Sequence, residues 1–281
     1  MSAGGTSDFL ADMARSSAAR SSAAQQRESE ATLAARVAAL PTPPSLRLDG
    51  RFDLIAELKL RSPAQGILSG PTADIGSRVT AYARGGAAIV SVLTEPDRFD
   101  GSLEHLACAS AALKPFGVPA MRKDFLVDRY QLLEARLAGA GGVLLIVRML
   151  GRERLAELVA VAADLGLFVL LEAFDAADIA IAADLAAQWQ GARDACLIGI
   201  NSRDLVTLQV VPQRLEQLAP TLPTQYPRVA ESGLATAEDA ARLAAAGFTL
   251  ALVGTALMAA PEPEQLARTM IARGRIAAAR P

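Results

Sequence analysis

The sequence predicts an α/β fold, a (β/α)8 TIM barrel with an N-terminal helical extension. From residue 53 onward, short apolar runs alternate with longer segments of helical period. Eight such runs, spaced by roughly 22 to 35 residues, indicate parallel strands joined by crossover helices. The segment that holds them, about 230 residues long, has the usual size of one closed barrel.

The segment before the first strand has a different composition. Residues 1–48 are rich in Ala, Ser and Arg, contain no strand-like run, and include the breaker PTPP at 41–44. We expect them to form a helical extension, broken or frayed by its serines and mobile at its beginning. The barrel domain is then expected to span residues 49–281.

The predicted strands and helices follow one another regularly. The strands are DLIAELK (53–59), AIVSVLT (88–94), VPAMRKD (118–124), VLLIV (143–147), LFVLLE (167–172), CLIGIN (196–201), RVAES (228–232) and LALVG (250–254). Helical patterns such as GRERLAELVAVAADLG lie between them, and several end in Gly, as helices often do. The alternative, a doubly wound open sheet, usually has GxGxxG after its first strand, and ELKLRSPAQG does not match it.

Composition excludes several classes of function. A charged fraction of 21%, no apolar run near the ~20 residues that span a bilayer and no secretory leader predict a cytoplasmic protein without membrane contact. The net charge of −2 argues against nucleic-acid binding. Cys108 and Cys196 lie far apart, which disfavours a disulfide framework or a zinc site. The single histidine, His105, lies in a helical pattern, and we interpret it as structural.

Polar side chains gather at the predicted strand ends, where barrel enzymes carry their reactive groups. Two of the three lysines and the only asparagine belong to this set. Any one member alone fits a structural ion pair, but their convergence on one mouth favours a site. Lysine, glutamate and asparagine suit proton transfer at a carbonyl or imine, with no metal or cofactor expected. The set is Glu57, Lys59, Thr94, Lys123, Glu172, Asn201, Glu231, Ser232, Gly254 and Thr255.

Two small-residue turns predict a phosphorylated small-molecule substrate. ESG at 231–233 and VGT at 253–255 follow the seventh and eighth strands, where barrels often bind phosphate through backbone N–H groups. Arg203, close to Asn201, adds a cation that can reach the same anion.

Several segments together resemble the indole-3-glycerol phosphate synthase family, from about residue 50 to 275. Their order and spacing agree with the family. They are IAELKLRSPAQG (55–66), SVLTEPDRFDGSLEHL (91–106), MRKDFLVDRYQLLEARLAGAGGVLLIV (121–147), IGINSRDL (198–205), AESGLAT (230–236) and LVGTALM (252–258).

The resemblance implies a cofactor-free lyase of tryptophan biosynthesis. It would close the ring of 1-(2-carboxyphenylamino)-1-deoxyribulose 5-phosphate to indole-3-glycerol phosphate, with loss of carbon dioxide and water. Lys123 would be the general acid and Glu172 a general base that Glu57 assists. Lys59 would contact the substrate carboxylate and help hydroxide leave, with the later proton transfers left undivided among Lys59, Glu57 and Glu172.

The resemblance also assigns the surrounding positions. Asn201 and Glu231 would hold the substrate and orient the acid, and Phe125 would pack against the anthranilate ring. Because Lys123 is expected near a second lysine in a partly desolvated mouth, we expect its pKa to be depressed. The loop LRSPAQGILSG at 60–70 is expected to fold over the substrate. The remaining substrate contacts, chiefly to phosphate, would be Ser62, Arg203, Ser232, Gly233, Gly254 and Thr255.

Departures from the family pattern keep alternatives open. Leu60, Phe174 and Ser202 differ from the residues usual at these positions. A paralogue that acts on a substituted anthranilate in a specialised pathway stays open because of Leu60, Phe174 and the region before residue 50, which matches the family's N-terminal helices poorly. Phosphoribosylanthranilate isomerase is disfavoured because it usually has a cysteine near the first strand, and a non-catalytic scaffold is disfavoured because Lys123 and Glu172 are present. We expect a monomer or weak homo-oligomer, and contact with other tryptophan-pathway enzymes stays open.

Overall fold

Eight parallel strands close into a barrel in the computed structural model, which describes residues 9–49, 51–62, 66–68, 74–189, 191, 195–204, 207 and 209–279. Each strand pairs with its neighbours in the chain, and the first pairs with the last. The predicted fold is confirmed. The strands are β1 (Asp53–Leu58), β2 (Ile89–Leu93), β3 (Ala120–Lys123), β4 (Gly142–Ile146), β5 (Phe168–Ala173), β6 (Cys196–Asn201), β7 (Arg228–Glu231) and β8 (Leu250–Val253).

Helices follow the strands and cover the sheet from outside. They are α1 (Phe9–Arg27), α2 (Glu30–Ala38), α3 (Ile75–Arg84), α4 (Pro96–Phe99), α5 (Leu103–Leu113), α6 (Arg129–Leu137), α7 (Arg152–Asp164), α8 (Ala176–Ala187), α9 (Arg214–Leu218), α10 (Ala237–Ala245), α11 (Thr255–Ala259) and α12 (Pro263–Ala278). Short 3₁₀ turns span Lys114–Phe116, Val147–Met149 and Ala219–Thr221, and a small hairpin pairs Arg61–Ser62 with Gly66–Ile67.

The strands are apolar on both faces because each face is buried. One face packs against the helices in the main core, and the other fills the barrel interior. Parallel strands covered on both sides have this near-continuous apolar character. Apolar side chains fill the lower interior, among them Ile55, Ile89, Met121, Leu144, Phe168, Leu170, Leu197, Val229 and Leu250. Above these apolar side chains, charged residues lie at the mouth, whereas Asp53 is buried at the opposite end of β1 and pairs with Arg275.

Helix α1 is continuous over 19 residues, so the expected break is wrong for the serines within it, whereas the extension does break at Ser29, which caps the start of α2. Ser17 and Ser21 are buried, and their hydroxyls accept hydrogen bonds from Gln131 Nε2 at 2.8 Å and Gln25 Nε2 at 3.2 Å. Serine disfavours a helix interior when its hydroxyl competes with the backbone. Here each hydroxyl accepts from a side-chain amide, and the helix docks on α6 through one of these bonds.

The described part of the chain contains no helix that is both long and apolar enough to cross a membrane. His105 lies half-buried in α5, and its backbone N–H donates to the N-cap hydroxyl of Ser102. That position agrees with a structural histidine.

Candidate active site

Four charged residues at the mouth come from alternate strands. Glu57, Lys123, Glu172 and Glu231 lie on β1, β3, β5 and β7 and point into the barrel above the apolar interior. Alternate strands of a barrel contribute side chains at the same height, so these four form one layer.

Glycines on β6 and directly after β8 make room for this charged layer. A Cβ at Gly199 on β6 would overlap Glu231 Oε1, and a Cβ at Gly254, directly after β8, would overlap Glu57 Oε1. A side chain at either position would therefore displace a carboxylate. Sequence patterns alone did not reveal this role of Gly199.

Lys123 lies between two carboxylates. Its Nζ is 2.8 Å from Glu172 Oε2 and 3.5 Å from Glu231 Oε2. The Lys123 side chain is 17% exposed, whereas both glutamates are almost fully buried. The Lys123 amine thus remains open to the cleft, while the two buried glutamates neutralise its charge.

A second lysine–glutamate pair stands on β1 and the residue after it. Lys59 Nζ lies 2.8 Å from Glu57 Oε1, as expected for two residues that share one face of a strand. Asn201 holds Glu172, the partner of Lys123, in place, since the Asn201 Nδ2 donates to Glu172 Oε1 at 3.3 Å. The Asn201 Oδ1 accepts from the backbone N–H of Arg203 at 2.9 Å, which ties the following loop to the site.

The expected depression of the Lys123 pKa is wrong. Burial acts to lower it, but the carboxylates of Glu172, Glu231 and Glu57 outweigh burial and raise the Lys123 pKa above its ordinary value. Lys123 is therefore a firmly protonated ammonium in the free protein. The expected neighbour of Lys123 was a second lysine, but the Nζ atoms of Lys123 and Lys59 each lie 2.8 Å from a glutamate oxygen.

The pKa values of Glu57 and Glu231 are shifted in opposite directions by their surroundings. Burial acts to raise the Glu57 pKa, but Lys59 and Lys123 hold it below its ordinary value. Burial and the adjacent Glu172 carboxylate raise the pKa of Glu231 well above its ordinary value, against the effect of Lys123. Glu57 is thus kept as a carboxylate, whereas the carboxyl of Glu231 holds its proton to a higher pH than an ordinary glutamate does. Pairs of titratable groups whose pKa values are pushed apart are typical of acid–base sites.

Small residues form one end of the cleft. Ser232 and Gly233 adopt left-handed backbone conformations, with φ of +69° and +78°. The Ser202 hydroxyl donates to the carbonyl oxygens of Glu231 and Ser232 and holds this turn. Gly254 caps the short helix α11, so Thr255 lies at its first position. Ser232, Gly233, Gly254 and Thr255 all line the cleft, together with Arg203.

Three phenylalanines form the other end. The Phe125 ring lies 5.8 Å from Phe9 in an edge-to-face contact and 6.3 Å from Phe99. Phe9 begins α1 and Phe99 ends α4, so they were not found by examining strand ends. Their rarity is a usable signal, since aromatic residues make up only 4% of the chain.

The two ends and the charged layer line one cleft of about 430 Å³. The described structure brings together every sequence-predicted site residue except Ser62 and Thr94. The Ser62 side chain lies outside the described residues, as do residues 63–65 and 69–70 of the 60–70 loop. Thr94 belongs instead to a buried network behind Lys123, where its hydroxyl bonds Asp124. The cleft is lined by Glu57, Lys59, Lys123, Phe125, Glu172, Asn201, Arg203, Glu231, Ser232, Gly233, Gly254 and Thr255, with Asp124, Phe9, Phe99 and apolar neighbours.

Comparison with known proteins agrees with this site. The sequence model of the family described as indole-3-glycerol phosphate synthase matches residues 10–270. The chain belongs to the indole-3-glycerol phosphate synthase family. The match begins at residue 10, so the family likeness includes α1 and α2, which the resemblance that starts near residue 50 left out.

Curated members of the family are similar in sequence to this chain over most of their length. The indole-3-glycerol phosphate synthase of Parafrankia sp. is 40% identical over 255 residues, covering 88% of this chain and 90% of the relative. That of Kineococcus radiotolerans is 40% identical over 79% of this chain and 76% of its own. That of Nocardioides sp. is 42% identical over 77% and 79%. As a member of this family, the chain is a carboxy-lyase of tryptophan biosynthesis.

The similar solved structures share only the barrel fold with this chain. Thiamine phosphate pyrophosphorylase from Pyrococcus furiosus superposes with a TM-score of 0.57 at 13% identity, over 81% of this chain and 98% of that one. 3-Hexulose-6-phosphate synthase from Salmonella typhimurium gives a TM-score of 0.58 at 13% identity, over 79% and 98%.

Proposed function

We propose that the chain closes the indole ring by lysine–glutamate acid–base catalysis in this cleft, with Lys123 as the general acid. The observation that carries the proposal is the Lys123 ammonium, open to the cleft and 2.8 Å from Glu172. The substrate is 1-(2-carboxyphenylamino)-1-deoxyribulose 5-phosphate.

The first step is ring closure. The ring carbon that carries the carboxylate attacks the ribulose carbonyl carbon, and the carbonyl oxygen takes a proton from Lys123 Nζ. Three carboxylates raise the Lys123 pKa, so the ammonium form is fully populated when substrate arrives. Loss of carbon dioxide from the attacked carbon then restores the aromatic ring.

The second stage is dehydration. The new hydroxyl leaves as water with a proton from Lys59, which Glu57 holds in place at 2.8 Å. Glu172 takes the proton released from the adjacent methylene carbon as the indole double bond forms. The contact between Glu172 and Lys123 supplies a direct path for that proton to return to Lys123, which resets the acid.

The two ends of the cleft suit the two ends of this substrate. The phosphate would be bound by the left-handed turn at Ser232 and Gly233, by Gly254 and Thr255, and by Arg203. Phe125 and its aromatic neighbours would pack against the anthranilate ring, and Lys59 would contact its carboxylate. Asn201 and Glu231 would hold the substrate and keep Lys123 and Glu172 in register.

An indole-fluorescence assay tests the proposal. The purified protein is given the unsubstituted substrate in the presence of a chelator, and indole-3-glycerol phosphate is followed by its emission. We expect turnover that chelator does not change. A folded protein that leaves this substrate unchanged, but turns over ring-substituted analogues, would contradict the proposed substrate and favour the specialised paralogue.

A further inference from the structure

Arg20 of helix α1 reaches across the top of the barrel to two loops. Its Nη2 lies 2.7 Å from Asp124 Oδ1, and its Nη1 lies 3.6 Å from Glu95 Oε1. The two carboxylates are almost completely buried, whereas the Arg20 side chain is 26% exposed. One guanidinium thus joins the chain segments that follow β2 and β3.

Asp124 is bound tightly to the strand end that carries Lys123. Its Oδ2 accepts from Thr94 Oγ1 at 2.8 Å and from Arg122 Nη2 at 3.2 Å. The backbone N–H of Thr94 donates to the Lys123 carbonyl oxygen at 3.0 Å. The backbone of Lys123 therefore lies within a network whose outer member is Arg20.

The same network supports the aromatic end of the cleft. Asp124 Oδ1, which contacts Arg20, also accepts from the backbone N–H of Phe125 at 2.8 Å. Glu95 caps α4 by accepting from the N–H groups of Asp97 and Arg98, and this helix ends in Phe99.

We propose that Arg20 is a positioning residue. By holding the Glu95 and Asp124 carboxylates together, it aligns Lys123 with the aromatic end of the cleft, formed by Phe9, Phe99 and Phe125. Arg20 lines no part of the cleft itself among the described residues, so it acts through these carboxylates. A planar guanidinium presents two donors in fixed geometry and can address both carboxylates at once, which an ammonium cannot do in the same way. Acid catalysis requires Lys123 within hydrogen-bond reach of the carbonyl oxygen, so a small displacement of its strand end is costly.

The test compares Arg20→Met with Arg15→Met. Arg15 lies on the same helix, is 72% exposed and pairs with Asp12, so its substitution controls for a general change in α1. With both variants folded by circular dichroism, we expect Arg20→Met to lose about tenfold or more in kcat at saturating substrate. Arg15→Met should stay within about twofold of the parent, and Arg20→Lys should recover part of the loss because it retains a cation for Asp124.

A second comparison separates positioning from stability. This inference rests on the proposed role of Lys123, so Arg20→Met is also made in the Lys123→Ala background, where we expect no further loss of residual activity. An equal fractional loss in both backgrounds, or Arg20→Met within about twofold of the parent, would overturn the inference. If Lys123→Ala alone keeps its activity, the proposed function fails instead.

Discussion

The Glu231 carboxylate occupies the space that a side chain at position 199 would fill. Gly199 lies on β6 and Glu231 on β7, and a Cβ at position 199 would overlap Oε1 and also come within 3.1 Å of Leu170. The charged layer at the mouth thus depends on glycine in the neighbouring strand. This dependence is invisible in any single motif.

Gly199→Ala is expected to displace Glu231 and, with it, Lys123. We predict a loss of about tenfold or more in kcat, because misplacement of a catalytic group by about 1 Å has such effects. Overpacking should also lower the free energy of unfolding by roughly 1–3 kcal/mol. Gly151→Ala is the matched control, since a Cβ there meets nothing within 4 Å. Steady-state kinetics that leave the two variants equal would argue against this packing.

Thr255→Val tests the proposed phosphate end. Valine keeps the branched shape but removes the hydroxyl, and a hydrogen bond to a charged group contributes roughly 1.5–3 kcal/mol, so KM should rise about tenfold or more. We expect kcat to change little, because the acid–base groups are untouched. Inorganic phosphate should inhibit the variant more weakly than the parent.

Thr269→Val on α12 provides the control, since its hydroxyl donates to the Gln265 carbonyl oxygen on the helix surface. A Thr255→Val variant whose KM and phosphate inhibition match those of Thr269→Val would show that phosphate binds elsewhere.

The raised pKa of Glu231 leads us to expect that the free energy of unfolding depends on pH. Its pKa in the folded protein lies well above the ordinary 4.5, so the folded state binds a proton that the unfolded state has lost. Its contribution to stability is therefore fully present below pH 4.5 and declines as pH rises through the folded pKa. For one proton the slope is at most about 1.4 kcal/mol per pH unit.

Urea unfolding of the parent and Glu231→Gln between pH 5 and 8 measures this effect. The glutamine cannot titrate, so the variant should lose less stability than the parent as pH rises. Glu57, whose pKa is lowered, contributes in the opposite sense and below this range, since that contribution is lost only as pH falls. Parallel pH profiles for the two proteins would mean that Glu231 titrates normally.

The fold could be predicted from the sequence because its signals are local and repeat. Each strand is a short, mostly apolar run buried on both faces, and several of the following helices carry their own N-caps, such as Asp175 before α8 and Thr236 before α10. The serines of α1 misled the prediction because their hydroxyls find partners on other side chains, which only tertiary packing reveals.

The site could be predicted only as far as strand ends reveal it. Lys123, Glu172 and Asn201 follow from their place in the alternating pattern. The direction of the Lys123 pKa shift could not be predicted, because it depends on how close each carboxylate comes. Contacts such as Arg20 with Asp124, separated by 104 positions, likewise arise only when the chain has folded.

The proposed reaction requires Lys123 to donate a proton, and the kcat of Lys123→Arg shows whether it does. Arginine keeps the positive charge between Glu172 and Glu231 but does not release a proton near neutral pH. With substrate binding measured separately by quenching or calorimetry, we expect Lys123→Arg and Lys123→Ala both to bind substrate and both to lose nearly all turnover. Substantial turnover by Lys123→Arg would contradict general-acid catalysis and leave Lys123 with a purely electrostatic role.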